Sequence, residues 1–364
     1  MRNSTSAANL KILFLTFERE LTSVRLPMVN ASDVAARKYD APVVVARQRT
    51  KHTLKYSIHA KEIFQHLTFH RVCFASDFPR FLPHRFKDER LARKHLESIA
   101  VEGDIDVLEF ADQNKPQIYV INDQGFQAAQ RQLERIPHTF PAHKEREVTQ
   151  RSHALHEALI SELASRRHKF FLTHPDYKLI WKERYGIRNI PGFEDRVVDY
   201  ADCFQGPHGM LIDLAEVFSG EQSITRVKRK LKKLEEWVLS PEFETFVQTA
   251  YSHFGGDPSS RACRIIITAH QRDLVGTDYG WEREILGATF DLHAEVQKRI
   301  WTMPNSSLKQ SNDIDSPIWH CGAHLIRHRP EYKELPVRRR YSFLTNLLAD
   351  EAVCPKLPLF SFAG

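Results

Sequence analysis

The stretch KDERLARKHLESIAVEGDIDVLEFADQNKPQIYVINDQGF, residues 87–126, decides the reading of the front half of this chain. Leu91, Ala92, Leu96, Ile99 and Ala100 share one side of a helix expected from Lys87 to Val101. Arg90, Arg93, Lys94 and Glu97 recur on the opposite side at i, i+3, i+4 and i+7. Gly103 closes the helix, as a left-handed cap residue does. IDVLEF and QIYVI are short alternating runs on either side of ADQNKP, which reads as a hairpin with a loop at its tip. Asn122 and Asp123 cap a further helix, GFQAAQRQL.

Working upstream, Ala60, Ile63, Phe64 and Leu67 recur at helical spacing. Ser76 and Asp77 offer a cap before FPRFL, and Pro83 stops that short helix. Three helices followed by a two-stranded wing predict a winged helix-turn-helix over residues 55–135. A helix with cations opposite its apolar stripe can enter a major groove while its back packs on two supporting helices. Arg90, Arg93 and Lys94 are then the candidates for base-edge or phosphate contacts. Arg85 and Lys87 would reach phosphates near the helix start, and Lys115 at the wing tip would touch the adjacent backbone or minor groove. A solvated face is the ordinary alternative for any single charged stripe, and the hairpin and capped helix that follow tip the balance toward DNA. A protein-interaction scaffold stays open as a third reading, because winged helices also serve that purpose.

A length of 364 residues suggests two domains, and 42% hydrophobic with 27% charged residues is an ordinary globular composition. The net charge of +6 is small, but cations concentrate in RQRTKHTLK, HRFKDERLARK (84–94), RVKRKLKK (226–233) and RHRPEYKELPVRRR (327–340). Local density of this kind attracts a phosphate backbone. The apolar run near the start is too short for a signal core, and no stretch approaches the roughly 18 apolar residues of a membrane span, so a soluble, cytoplasmic protein with no membrane partner is expected. Five cysteines without a CxxC pair fit reduced thiols.

Residues 1–54 read as an N-terminal extension containing a strand, KILFLTF, and IPHTFPAH (136–143) as a linker. A second domain is expected over 143–310. It begins with a helix of about 145–166, a strand HKFFLTH and a loop. Strands RVVDYADCF and MLIDLAEVF follow, joined by QGPHG. Ser223 caps a helix with the stripe Ile224, Val227, Leu231, Leu234 and Val238, and a buried strand CRIIITAH and a helix near Tyr279–His293 complete the domain. The fold class is therefore α/β (mixed α+β), with a three-layer second domain. A C-terminal segment, 311–364, is irregular until a helix at YSFLTNLLADEA.

RLARKHLESIAVEGDIDVLEF with QIYVINDQGFQAA resembles the front half of the replication-relaxation family of plasmid and mobile-element proteins. LIDLAEVFSGEQSITRVKRKLKKLEEW is similar to that family's second signature, and IIITAHQRD and SPIW sit where the family has its next strand and terminal tryptophan. The resemblance covers about residues 55–320. It implies a winged helix joined to a domain like the PD-(D/E)xK nucleases, acting on double-stranded DNA in replication, mobilisation or transcription control. A second copy of the chain and replication or mobilisation proteins are the further partners it suggests.

Such nucleases hold Mg²⁺ with two carboxylates while a lysine orients or activates water. The carry-over gives Asp199 as the first acid and Glu216 as the second, but the lysine position is Phe218, on the same strand face as Glu216. Asp213 is three residues from Glu216 and points to the other face. Lys228 or Lys232 from the next helix are the candidates to supply the amine. A domain that keeps the fold without the chemistry is the expectation, with no cofactor; Mg²⁺ enters only if the alternative, an endonuclease using Asp199, Glu216 and Lys228, holds. Lys228, Arg229 and Lys232 are then backbone contacts for nucleic acid. His320, His324 and His328 could line a helix as zinc ligands, yet 19 histidines make chance clusters ordinary. HALH (153–156) reads as a packed or surface pair. No phosphate loop, nucleophile elbow or Cys-His pattern is present.

Overall fold

The computed structural model describes residues 43–48, 57–110, 116–133, 143–183, 187, 190–194, 197–206, 209–218, 223–253, 263–269, 288–289, 291–304, 318–320 and 356–357. Lys115, the KILFLTF strand, most of the 136–143 linker and of the Tyr279–His293 helix, His324, His328 and the YSFLTNLLADEA helix lie outside the described residues.

In the first unit, helix α1 (Ala60–His70) buries Ala60, Ile63, Phe64 and Leu67 and ends at Arg71, whose positive φ turns the chain into strand β2 (Val72–Phe74). A 3-10 turn (Ala75–Asp77) and the short helix α2 (Phe78–Phe81) follow. Helix α3 (Glu89–Val101) starts where Asp88 accepts a 2.8 Å hydrogen bond from the Leu91 N–H, two residues later than its charge pattern alone suggests. Its buried side is Ala92, His95, Leu96, Ser98, Ile99 and Ala100. Strands β3 (Ile105–Glu109) and β4 (Ile118–Ile121) pair antiparallel with Ile105 opposite Ile121. Helix α4 (Asp123–Gln132) begins at Asn122, which accepts from the Gly125 N–H. A Cβ at Gly125 would lie 1.8 Å from the Asp104 carbonyl, so only glycine lets this helix sit against the turn before β3.

Strand β1 (Val43–Val45) falls inside the segment read as an extension. It pairs with β3 at the edge of a four-stranded antiparallel sheet ordered β1-β3-β4-β2. Three consecutive valines suit an edge strand, but the run is too short to stand out by alternation.

Helix α5 (His143–Thr173) replaces two expected elements: HKFFLTH is its last two turns and not a strand. The reason is packing on both sides. Ala154, Ala158, Leu159, Ile160, Leu163, Ala164 and Phe170 form one cluster with Val72, Phe74, Ile118 and Val120 of the first sheet and with Tyr200, Phe204, Leu211, Ala215 and Val217 of the second. A helix enclosed in this way loses the one-sided pattern by which helices are recognised. The two sheets therefore share a continuous core through α5.

The second sheet has seven strands in the order β11-β10-β9-β8-β7-β6-β5. Strands β5 (Lys178–Glu183), β6 (Tyr200–Gly206) and β7 (Gly209–Phe218) form an antiparallel meander; β8 (Cys263–Ala269) and β9 (Ile300–Pro304) add in parallel, and β10 (Ile318–His320) and β11 (Lys356–Leu357) add antiparallel. The face opposite α5 is covered by α6 (Ile224–Val238) and α7 (Pro241–His253). Val227, Leu231, Leu234, Trp237 and Phe246 pack there on Ala201, Cys203, Ile212, Leu214, Ile265 and Ile267. Ser223 caps α6 as its sequence predicts. A short helix, α8 (Ala294–Gln297), leads into β9. The whole is a mixed α+β architecture. No helix among the described residues is long and apolar enough to cross a membrane.

On the α5 face, four buried charges meet. Arg167 of α5 binds Asp202 of β6 through Nε and Nη2, and its Nη2 donates to Asp213 of β7 at 2.7 Å. Arg264 of β8 donates to both oxygens of Asp213 at 2.8 and 2.7 Å. Asp213 does face away from Glu216, and its role is to tie α5 to the sheet.

Candidate functional site

Two surfaces carry the candidate residues. On α3 the buried stripe leaves Arg90, Arg93 and Lys94 exposed, and Arg85 and Lys87 are exposed on the turn that leads into it. Arg93 donates to Glu89 at 2.7 Å and Arg85 lies 3.6 Å from Glu62. Both are surface pairs worth about 0–1 kcal/mol, which a phosphate can displace at little cost.

The second surface lies where β6 begins and β7 ends. Asp199 sits one residue before β6, held there by its N–H donating to the Ala215 carbonyl at 2.8 Å. Glu216 is in the penultimate turn of the β7 pleat, on the face that meets α6. The lysine that reaches them is Lys230. Its ammonium is 3.5 Å from Asp199 Oδ1 and makes a close ion pair with Glu216 Oε1. Lys228 is not that lysine: it projects from the other flank of the apolar stripe, 3.8 Å from Asp291. Lys232 pairs with Glu235. Arg229 is exposed on the outer side of α6.

The two carboxylates hold Lys230 in this position, and the Phe218 ring lies beside it. The Lys230 ammonium lies 6.0 Å from the centroid of the Phe218 ring, at the edge of cation–π range. The amine at this position comes from Lys230 of the helix, and not from Lys228 or Lys232, the two expected to supply it.

His156 of α5 completes the cluster. Its Nε2 donates to the Val217 carbonyl at 2.8 Å and lies 3.3 Å from Asp199 Oδ2, which also accepts the Val217 N–H at 2.9 Å. The electrostatics divide the two acids. Burial pushes the Asp199 carboxyl up, but Lys230, His156 and the Val217 N–H together outweigh it and hold the group well below the usual range. Burial and the neighbouring Asp199 charge push Glu216 well above its usual range, against the pull of Lys230. The two carboxyls are thus shifted in opposite directions, and their proximity raises the pKa of Lys230 against the lowering effect of burial.

Lys230 and His156 escaped the sequence reading for different reasons. The stripe Ile224, Val227, Leu231, Leu234 and Val238 has two flanks, with Lys228 on one and Lys230 on the other; only the tilt of α6 over β7 decides between them. His156 acts through a helix that belongs to both cores, and nothing local marks it. No protein-family model matches the chain, and comparison with curated proteins and with solved structures found no match.

Proposed function

We propose that this chain is a DNA-binding protein that docks α3 in the major groove, in the replication, mobilisation or transcription control of a plasmid or mobile element. The observation that carries the reading is the exposed cationic side of α3 beside the β3–β4 hairpin, with its apolar side closed against α1 and α2. The order helix, strand, two helices, hairpin supports a winged helix, in which a wing straddles the adjacent backbone. A gel-shift series tests it. The Arg93→Ala, Lys94→Ala double variant should lose most of its affinity and show a shallower salt dependence, whereas unchanged affinity rejects the reading.

Asp199, Glu216 and Lys230 favour a second reading for the other unit: metal-dependent cleavage of a phosphodiester. The meander β5-β6-β7 followed by α6 and the parallel strand β8, with α5 on the opposite face, supports a nuclease-like fold. The residues fit a divalent cation. Asp199 is an ionised oxygen donor, and Glu216 Oε2 is buried without a hydrogen-bond partner while Oε1 is paired with the Lys230 ammonium, which leaves one buried oxygen of the kind a hard cation satisfies. When bound, Mg²⁺ would polarise the phosphoryl oxygens and lower the pKa of a bound water. Lys230 would hold a protonated amine against the developing charge. His156 fixes the orientation of Asp199 by occupying one of its oxygens. Nicking of plasmid DNA in Mg²⁺ or Mn²⁺, abolished by Glu216→Ala, tests this reading; a wild-type protein that never cuts refutes it.

A further inference from the structure

We infer that one edge of α6, carrying Arg226, Arg229 and Lys233, is the track that seats the phosphates of the DNA strand passing Asp199, Glu216 and Lys230. This rests on the cleavage reading and says which strand path and which cations serve it. Arg226, Arg229, Lys230 and Lys233 stand at i, i+3, i+4 and i+7 and so share one helix side. Lys230 is the one member of that side tilted inward, 21% exposed, with its ammonium on the carboxylates. The other three are exposed, and no ion-pair partner of theirs occurs among the described residues. By contrast, Lys228 and Lys232 on the opposite flank are engaged by Asp291 and Glu235.

Two features make this more than a solvated face. The seven steps from Arg226 to Lys233 rise about 10 Å, and one strand of a duplex carries a charge about every 3.4 Å along its axis, so three cations meet about three phosphates. A strand on this line also passes directly over the opening of the site, where Asp199 and Lys230 keep 14% and 21% of their side-chain surface accessible. The acidic residues of α6, Glu235 and Glu236, lie toward its far end and leave the first two turns positive.

The test is duplex binding by the full chain in EDTA, where no cleavage occurs, in an Arg90→Ala, Arg93→Ala, Lys94→Ala background that removes the α3 contribution. Affinity for a labelled duplex is measured from 0.05 to 0.2 M salt. The Arg226→Ala, Arg229→Ala, Lys233→Ala triple variant should flatten the log–log salt slope by about 2.7, which shrinks the salt effect over that range by about 40-fold. Lys228→Ala, Lys232→Ala should change the slope by less than about 1. An unchanged melting temperature establishes that each variant is folded, as substitutions of exposed residues allow. A triple variant with the parental slope, or two variants with equal losses, would overturn the track however well the protein cuts DNA. Loss of the slope in a protein that does not cut in Mg²⁺ or Mn²⁺ would keep the phosphate contact and overturn the cleavage reading alone.

Discussion

Replacing Arg167 with Met measures how far the second unit depends on its buried charges. Arg167 and its two partners are at most 1% exposed, and Asp213 keeps Arg264 when Arg167 is lost, whereas Asp202 keeps no other hydrogen-bonded cation among the described residues. The substitution leaves one uncompensated anion in the core, which costs about 3–5 kcal/mol. Burial already pushes Asp202 above its ordinary value even with Arg167 in place, and losing the arginine pushes it further. A carboxyl whose folded pKa exceeds its unfolded value weakens the fold as pH rises, so the loss should be larger at pH 8 than at pH 5. At about 2–4 °C per kcal/mol the neutral-pH midpoint should fall by roughly 6–20 °C. Thermal unfolding followed by tryptophan fluorescence reads it, since Trp237 and Trp301 are buried in this unit. Arg167→Met combined with Asp202→Asn should recover most of the loss. A single variant that costs under about 1 kcal/mol, or a double variant no better than the single, would refute the claim that this network is electrostatically closed.

Asp77 gives a second pH signature, at the contact between the first unit and α5. It is fully buried and accepts hydrogen bonds from the Phe74 N–H and from Ser161 and Ser165 of α5, yet burial pushes it up from 3.8 to about 7, with Glu162 adding to the rise and Arg80 opposing it. The folded pKa lies above the unfolded one, so wild-type stability should decline between about pH 4 and pH 7 by up to about 4 kcal/mol, and Asp77→Asn should remove that decline; identical pH profiles for the two proteins would argue that the carboxyl stays ionised. At the catalytic candidate, Lys230→Met should reduce cleavage by about 10²–10³-fold, the loss seen when one preorganised charge-stabilising donor is removed. Adding Phe218→Lys should restore at least tenfold of it, because the strand position and the helix position address the same two carboxylates. A double variant no more active than Lys230→Met would sever the link drawn between Phe218 and Lys230.

In residues 58–126 helices α1, α3 and α4 and the β3–β4 hairpin were legible, the helices because each buries one side, whereas β2, three residues buried throughout, was not. The Asn122 cap, the α3 stripe and the hairpin follow local rules that a sequence displays directly; the Asp88 cap, which sets the true start of α3, was passed over. Strand β1 was not legible: three valines pair with β3 from more than sixty residues away, and only tertiary pairing gives them meaning. The same holds for the end of α5. HKFFLTH has the apolar density of a strand, and it is a helix because Arg167 must face Asp202 while Phe170 faces Tyr177 one turn on. In the candidate site, Asp199 and Glu216 were named only through the family resemblance, and the structure brings both within reach of one ammonium. Lys230 was not named, because a helix wheel offers two flanks and the choice between them belongs to packing.

The site is better understood from charge than from motif. A strand lysine two residues after Glu216 would share its face, and a helix lysine arriving over the same strand reaches the same oxygens by a different route. What the chemistry requires is a cation fixed within hydrogen-bonding distance of two carboxyls in a place poor in water, and the backbone that delivers it is immaterial. Phe218, a buried member of the core under α6, lies 6.0 Å from the Lys230 ammonium, at the limit of cation–π range. His156 extends the same logic to the other side of the sheet. Because α5 also packs on the first sheet, the residue that fixes Asp199 is carried by the helix that joins the two sheets. One packed helix therefore contacts both sheets, and the two proposed DNA-contacting surfaces are connected through it.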